Sequence, residues 1–335
     1  MNPGQGQNGA NGPGRDSDIV NLVRQGDVRA VARLIRDFDD GAPSAVADLK
    51  QLFPFTGRAY VLGVTGSPGV GKSTLVDGLV RHVRGLGLTV GVLAVDPSSP
   101  FTGGAILGDR VRMQRHSTDE GVFIRSMATR GHFGGLSRST RGAIMILDAS
   151  GKDVIIVETV GVGQDEVDIA RTADTTVIVV APGLGDDIQA IKAGILEVGD
   201  IFVVNKADRE GAERTVQDLQ SMIELGRVSD LGTKDWTPPV LKAVGLKQEG
   251  VAELWAAAAG HRAFLHQGRS DYYQRLARLK AKMEIIDLVK QGVVDVILKR
   301  LDETGELEQY LDELISRKTD PYSLSDKIMA RVLAE

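Results

Sequence analysis

The chain contains no cysteine. That absence removes disulfide frameworks, thiolate nucleophiles and cysteine-ligated zinc or iron–sulfur centres together. Aromatic residues are scarce, at 4% of 335 residues. The five histidines, His82, His116, His132, His261 and His266, follow no metal-ligand spacing such as HExxH, so a dedicated metal-storage site is not expected. No apolar run approaches the roughly 20 residues that span a bilayer. The first residues, MNPGQGQNGANGPG, lack the apolar core of a signal peptide. These features predict a cytoplasmic protein with no membrane contact. A net charge of −5 argues against a general nucleic-acid partner.

What is present is an ordinary globular composition, 42% apolar and 25% charged. Residues 1–16 hold almost no apolar side chain and are expected to form a disordered tail. Apolar positions then recur at helical spacing through residues 17–56 (Ile19, Leu22, Val23; Val31, Leu34, Ile35, Phe38; Leu49, Leu52). Ser17 and Asp27 are expected N-caps, with breaks at Gly26 and at Gly41–Pro43. Seven β-branched apolar runs follow, starting at Tyr60, Val90, Val122, Val154, Thr176, Ile201 and Val240, most of them separated by helix-like segments. Fully apolar strands alternating with helices predict an α/β domain over 57–262, built on a mostly parallel sheet covered on both faces. Beyond it, 263–335 reads as helical. Leu276, Leu279, Met283, Ile286, Val289, Val293, Ile297 and Leu301 form an i, i+3/i+4 stripe. Two readings stand for it: a helix packed on its own domain, or an arm shared with a second subunit.

The strand at Tyr60 runs into Gly66-Ser67-Pro68-Gly69-Val70-Gly71-Lys72-Ser73-Thr74 and then a helix-like segment. This is a complete G-x-x-x-x-G-K-[ST] phosphate loop in the strand–loop–helix context the motif requires. Its glycines let backbone N–H groups point at phosphates, Lys72 can reach the β- and γ-phosphates, and Ser73 can ligate Mg²⁺. The strand at Ile201 ends in Asn205-Lys206-Ala207-Asp208. This matches the N-K-x-D guanine motif of P-loop GTPases, in which the Asp carboxylate accepts from guanine N1–H and N2. Adenine offers no such donors, so a carboxylate left unpaired penalises ATP. After the last strand, Lys242-Ala243-Val244 is expected to offer a backbone N–H to guanine O6, with Ala243 as the donor residue.

The strand at Val154 closes with Glu158-Thr159-Val160-Gly161. This stands where most GTPases carry D-x-x-G, so Glu158 is a candidate metal-shell carboxylate and Gly161 a candidate γ-phosphate contact. Val162 occupies the place of the water-orienting Gln and cannot position water, so intrinsic hydrolysis should be slow. Gln164, Asp165 and Glu166 are either recruited to that task or part of a solvated loop. Asp96 ends the second strand on the ligand side of such a sheet, as a site carboxylate or as a turn cap. Asp109, in Gly108-Asp109-Arg110, is either a water-mediated Mg²⁺ contact or a polar loop residue.

These segments, together with AVDPSSP (94–100), RSMATRGHFGGLS (125–137), APGLGDDIQAIKAGILE (181–197) and TDPYS (319–323), resemble one family across nearly everything from residue 17 onward. It is the methylmalonyl-CoA-mutase-associated GTPases, bacterial relatives of methylmalonic aciduria type A protein. They belong to the SIMIBI class of P-loop GTPases and carry an older label of arginine/ornithine transport kinase. The resemblance implies a GTP-hydrolysing, Mg²⁺-dependent chaperone of an adenosylcobalamin-dependent acyl-CoA mutase. Such a protein gates cofactor delivery and protects or reactivates the mutase, as a homodimer built through the C-terminal helices. It places the Mg²⁺ and hydrolysis carboxylates at Asp96, Asp109 and Glu158. It also places a mobile segment at about Ala181–Lys192, where Lys192 is either a built-in cation for the transferring phosphoryl or an exposed helix lysine. Lys242-Ala243 replaces the Ser-Ala often seen in guanine-contact loops. Two alternatives lie nearby. A metal-insertion GTPase would carry Cys or His clusters that this chain lacks. A kinase acting on a transport-binding protein would need an acceptor base, and no dedicated candidate for one is found.

Overall fold

The structure is a computed structural model that describes residues 16–96, 114–116, 118–128, 138–159, 165–183, 198–229, 236–267 and 271–333. The chain divides into two compact units, Met1–Gly268 and Arg269–Glu335.

The first unit opens with three short helices, α1 (Asp16–Arg24), α2 (Val28–Asp39) and α3 (Pro43–Leu52). Asp27 caps α2, its carboxylate accepting from Ala30 N at 2.7 Å. Pro43 takes the first position of α3, where its missing N–H costs nothing. Ser17 does not precede α1 as a cap would. The helix already begins at Asp16.

Among the described residues seven strands follow: β1 (Tyr60–Thr65), β2 (Val90–Asp96), β3 (Val122–Ala128), β4 (Val154–Thr159), β5 (Thr175–Val180), β6 (Ile201–Val204) and β7 (Val240–Lys242). They form one sheet in the order β3-β2-β4-β1-β5-β6-β7, and every pairing is parallel. β1, β4, β5 and β6 are buried along their whole length. This is why their sequences are continuous Val/Ile runs without polar alternation.

One face is covered by α4 (Lys72–Gly85) and α8 (Val251–Gln267), packed on Leu62, Val64, Val92, Ile156 and Val179. The other carries α5 (Arg138–Ala149) and α6 (Asp165–Thr172), with α7 (Ala212–Ser229) over β5 and β6. The three opening helices lie on α5 and share its core through Leu34, Ile35, Phe38 and Leu52. Asp148 of α5 fastens the chain entering β1, accepting from the backbone N–H groups of Gly57, Arg58 (3.2 Å) and Ala59 (2.9 Å). On the opposite flank the Tyr60 hydroxyl donates to Ala258 O of α8 (2.8 Å) and lies 2.6 Å from Thr175 Oγ1. Burial raises its pKa above the usual phenol range, so the hydroxyl keeps the proton it donates.

The second unit contains α9 (Asp271–Glu303), α10 (Glu306–Ile315) and α11 (Pro321–Leu333). Leu301, Tyr310 and Leu324 are its buried centre, with Ile297, Leu307, Leu314 and Ile328 around them. Arg331 closes the cluster on Glu306 at 2.6 Å. Along the predicted stripe, Ile297 and Leu301 join this cluster, whereas Leu279, Ile286, Val289 and Val293 are exposed.

Candidate active site

A fully parallel sheet sends the C-terminal ends of all its strands to one edge, where ligands bind in folds of this kind. Here that edge gathers the loop after β1, Asp96 at the end of β2, Glu158 and Thr159 at the end of β4, Asn205 after β6 and Ala243 after β7.

The loop 66–71 is compressed against its neighbours. Gly66 has φ +138°, and a Cβ there would stand 2.0 Å from the Val179 carbonyl oxygen of β5. Gly71 has φ +96°, caps α4, and leaves no space for a Cβ beside the Asn205 amide. Only glycine satisfies both the backbone angle and the close approach. Lys72 is buried at the start of α4, and its Nζ donates to Gly66 O (2.6 Å) and Ser67 O (3.0 Å). The next residue, Ser73, donates from Oγ to Glu158 Oε1 at 2.6 Å. A neighbouring bond, Thr159 Oγ1 to Thr65 Oγ1 at 2.7 Å, ties the ends of β4 and β1 together.

The segment after β6 is stitched to the same loop. Asn205 Nδ2 donates to Val70 O (2.8 Å), and Asn205 Oδ1 accepts from Gly245 N (3.0 Å). Lys206 adopts φ 55° and donates from Nζ to Gly69 O at 2.6 Å. One buried amide thus sets the spacing between the phosphate loop and the loop after β7. Around these groups is a cleft of about 950 Å³, shared by Pro68, Lys72, Ser73, Glu158, Asn205 and Asp208. The first turn of α4 borders it, which places a helix N-terminus beside any bound anion.

The sequence matches the family model described as "Methylmalonyl Co-A mutase-associated GTPase MeaB" over residues 31–302. The chain belongs to the MeaB family of GTPases. A putative GTPase of Pyrococcus abyssi (strain GE5 / Orsay) is 48% identical over 319 residues, covering 94% of this chain and 96% of that protein. The mitochondrial methylmalonic aciduria type A homolog of Mus musculus is 38% identical over 211 residues, covering 62% of this chain and 49% of its own. The fold is shared with the crystal structure of LAO/AO transport system kinase, at TM-score 0.69 and 24% identity, over 97% of this chain and 100% of that one. The architecture is therefore that of a P-loop GTPase.

Within this MeaB-family fold, Gly66–Thr74, Glu158, Asn205, Lys206 and Asp208 come together at the cleft or directly behind it. Asp96 closes β2 in register with Ala128, one strand away from Glu158. Asp109, Gly161 and Lys192 lie outside the described residues, as do Val162 and Gln164. Ala243 differs from its expected role. Its N–H donates to Val204 O at 2.9 Å, its carbonyl accepts from Ala207 N, and its side chain is buried, so that N–H is already used within the sheet. Of the predicted segment Val244 lines the cleft, followed by Gly245 and Leu246. Asp77, which the sequence reading did not single out, and Arg115, which it placed only as the end of a γ-phosphate-sensing segment Pro97–Arg115, line the cleft too. Asp77 was findable, because it follows Ser73 by four residues on the same helix face. Arg115 carries no motif.

Proposed function

We propose that this chain is a GTP-binding, GTP-hydrolysing chaperone of an adenosylcobalamin-dependent acyl-CoA mutase, gating cofactor delivery and protecting or reactivating the mutase. The observation that carries the reading is the MeaB match over 31–302, on a chain whose Asn205 joins a phosphate loop to a guanine-type N-K-x-D segment. The family description supplies the mutase association. The cleft supplies the chemistry of the switch.

In this reading Asp208 reads the guanine edge, while Lys206 and Asn205 hold the loop that carries it. Lys72 delivers its charge to the β- and γ-phosphates. Ser73 and Glu158 are hard oxygen donors brought within 2.6 Å of each other, a donor set that suits Mg²⁺. Asp96 and Asp109 complete the acidic shell. The ion, when bound, neutralises charge on the β- and γ-phosphate oxygens. Lys192 and Gly161 sense the terminal phosphate. The GTPase domain is 57–262, preceded by the helical segment 17–56, and the helical region 263–335 carries the dimer contact. The exposed Ile286, Val289 and Val293 of α9 support that last assignment. We place the protein in the cytoplasm.

Complex formation tests this directly. The purified chain, loaded with a non-hydrolysable GTP analogue or with GDP, is mixed with an adenosylcobalamin-dependent acyl-CoA mutase and followed by sedimentation velocity. The reading expects a complex whose affinity differs between the two nucleotides. Absence of any complex with every such mutase, in either state, contradicts the chaperone role.

A further inference from the structure

Beside Ser73, α4 presents Asp77, which is buried and faced by basic side chains of α4 and of the segment before β3. His116 Nε2 lies 2.9 Å from Asp77 Oδ1, and His116 is buried as well. Arg81 and Arg115 approach the other carboxylate oxygen at 3.8 and 3.9 Å. His116 and Arg115 belong to a short helical turn, Gln114–His116, just before β3. A second clamp holds the same stretch: Arg84 of α4 donates from Nε and Nη2 to the two carboxylate oxygens of Asp119, both at 2.9 Å. Two side-chain links, Asp77–His116 and Arg84–Asp119, therefore hold His116 and Asp119 against α4. Arg115 is thereby fixed at the wall of the same cleft that Ser73, Lys72 and Glu158 line.

Its guanidinium is not committed. The side chain is 66% exposed, and 3.9 Å to Asp77 is an ion-pair distance and not a hydrogen bond. With the arginine end in solvent and no hydrogen bond made, this pair contributes little. If Arg115 leaves, Asp77 keeps His116 at 2.9 Å and Arg81 at 3.8 Å, so no buried charge is stranded. A planar fork of donors on a fixed backbone, next to a phosphate loop, suits bidentate capture of a phosphoryl oxygen pair.

We propose that Arg115 is a phosphate-binding residue of this cleft that exchanges its contact with Asp77 for the terminal phosphate of GTP. His116 is the positioning residue that holds it there through Asp77. The inference rests on the cleft being the GTP site.

The test is equilibrium binding of a fluorescent GTP analogue and the matching GDP analogue, both with Mg²⁺, to the full chain and to Arg115→Ala and Arg115→Lys. Loss of one charge-assisted bond to the terminal phosphate predicts that Arg115→Ala weakens GTP binding by about ten- to a hundredfold and leaves GDP within about twofold. Arg115→Lys should recover part of the loss. His116→Ala should lower the GTP-to-GDP ratio in the same sense, with partial rescue by His116→Asn, whereas a purely structural role for His116 would lower both affinities alike. Thermal unfolding of Arg115→Ala, an exposed site, controls for folding. An unchanged GTP-to-GDP ratio in Arg115→Ala, with a wild type that binds GTP, overturns this inference alone. A wild-type chain that binds neither nucleotide overturns the site assignment with it.

Discussion

Ser73 Oγ donates to Glu158 Oε1 at 2.6 Å, joining the first turn of α4 to the end of β4 inside the cleft. The contact depends on β1 and β4 being adjacent and parallel, with Val64 opposite Glu158. The Glu side chain, longer than the Asp that most GTPases carry here, reaches the serine at hydrogen-bond distance. Ser73→Ala removes one oxygen of the pair. Nucleotide affinity measured with excess Mg²⁺ should fall by about tenfold or more, while affinity in chelator should stay near wild type. Equal Mg²⁺ dependence in variant and wild type would separate this pair from the metal.

Base selection is assigned to Asp208, which lines the cleft together with Asn205. Asp208→Asn replaces an acceptor-only carboxylate by an amide that accepts at one atom and repels a donor at the other. Discrimination of GTP over ATP should drop by about ten- to a hundredfold, read as a ratio of competition constants. An unchanged ratio places base reading elsewhere.

Asp148 carries the join between the opening helices and the sheet through three backbone N–H donors at Gly57, Arg58 and Ala59. Asp148→Ala strands those donors in a partly buried turn. The expected loss is about 2 kcal/mol in urea unfolding, with little change in nucleotide affinity, because the cleft lies at the other edge of the sheet. A variant as stable as wild type would show that water replaces the carboxylate at no cost.

The Arg84–Asp119 clamp gives a pH signature. Arg84's hydrogen bond holds the Asp119 carboxyl below the ordinary Asp range. A depressed carboxylate pKa stabilises the fold fully above the unfolded value, about pH 4, and that increment is lost as pH falls through the lower folded value. The stability difference between wild type and Asp119→Asn should therefore be steady near neutrality and shrink below about pH 4. A difference that does not change with pH would mean the charge on Asp119 is irrelevant. Both side chains are partly exposed, so the effect is small.

Much of this architecture was legible in the sequence because its strands are buried on both faces. The runs at Tyr60, Val154 and Ile201 had no polar alternation to confuse them, and the phosphate loop and Asn205–Asp208 carried their own chemistry. The Ser73–Glu158 contact was partly legible, as two residues assigned to one metal. Its hydrogen bond was not, because it depends on which strands are neighbours. Ala243 misled for a related reason. Its place after the last strand suggested a free N–H, but parallel pairing to β6 had already claimed that donor. The contacts of Arg115 and His116 with Asp77 left no trace in the sequence, since nothing local relates them to α4. The reach of the C-terminal stripe was half readable. Its spacing gave the helix, but only the packing of α10 and α11 shows that Leu301 is covered and Val289 is not.

The central claim is that GTP turnover in this cleft is coupled to a cobalamin-dependent mutase. The most direct measurement is the steady-state rate of GTP hydrolysis by the purified chain, alone and with increasing amounts of cofactor-loaded methylmalonyl-CoA mutase. The account predicts slow turnover alone, because Val162 stands where a water-orienting Gln is usual, and a saturable rise as mutase is added. Turnover that is already fast alone, or that ignores every adenosylcobalamin-dependent mutase supplied, would contradict it.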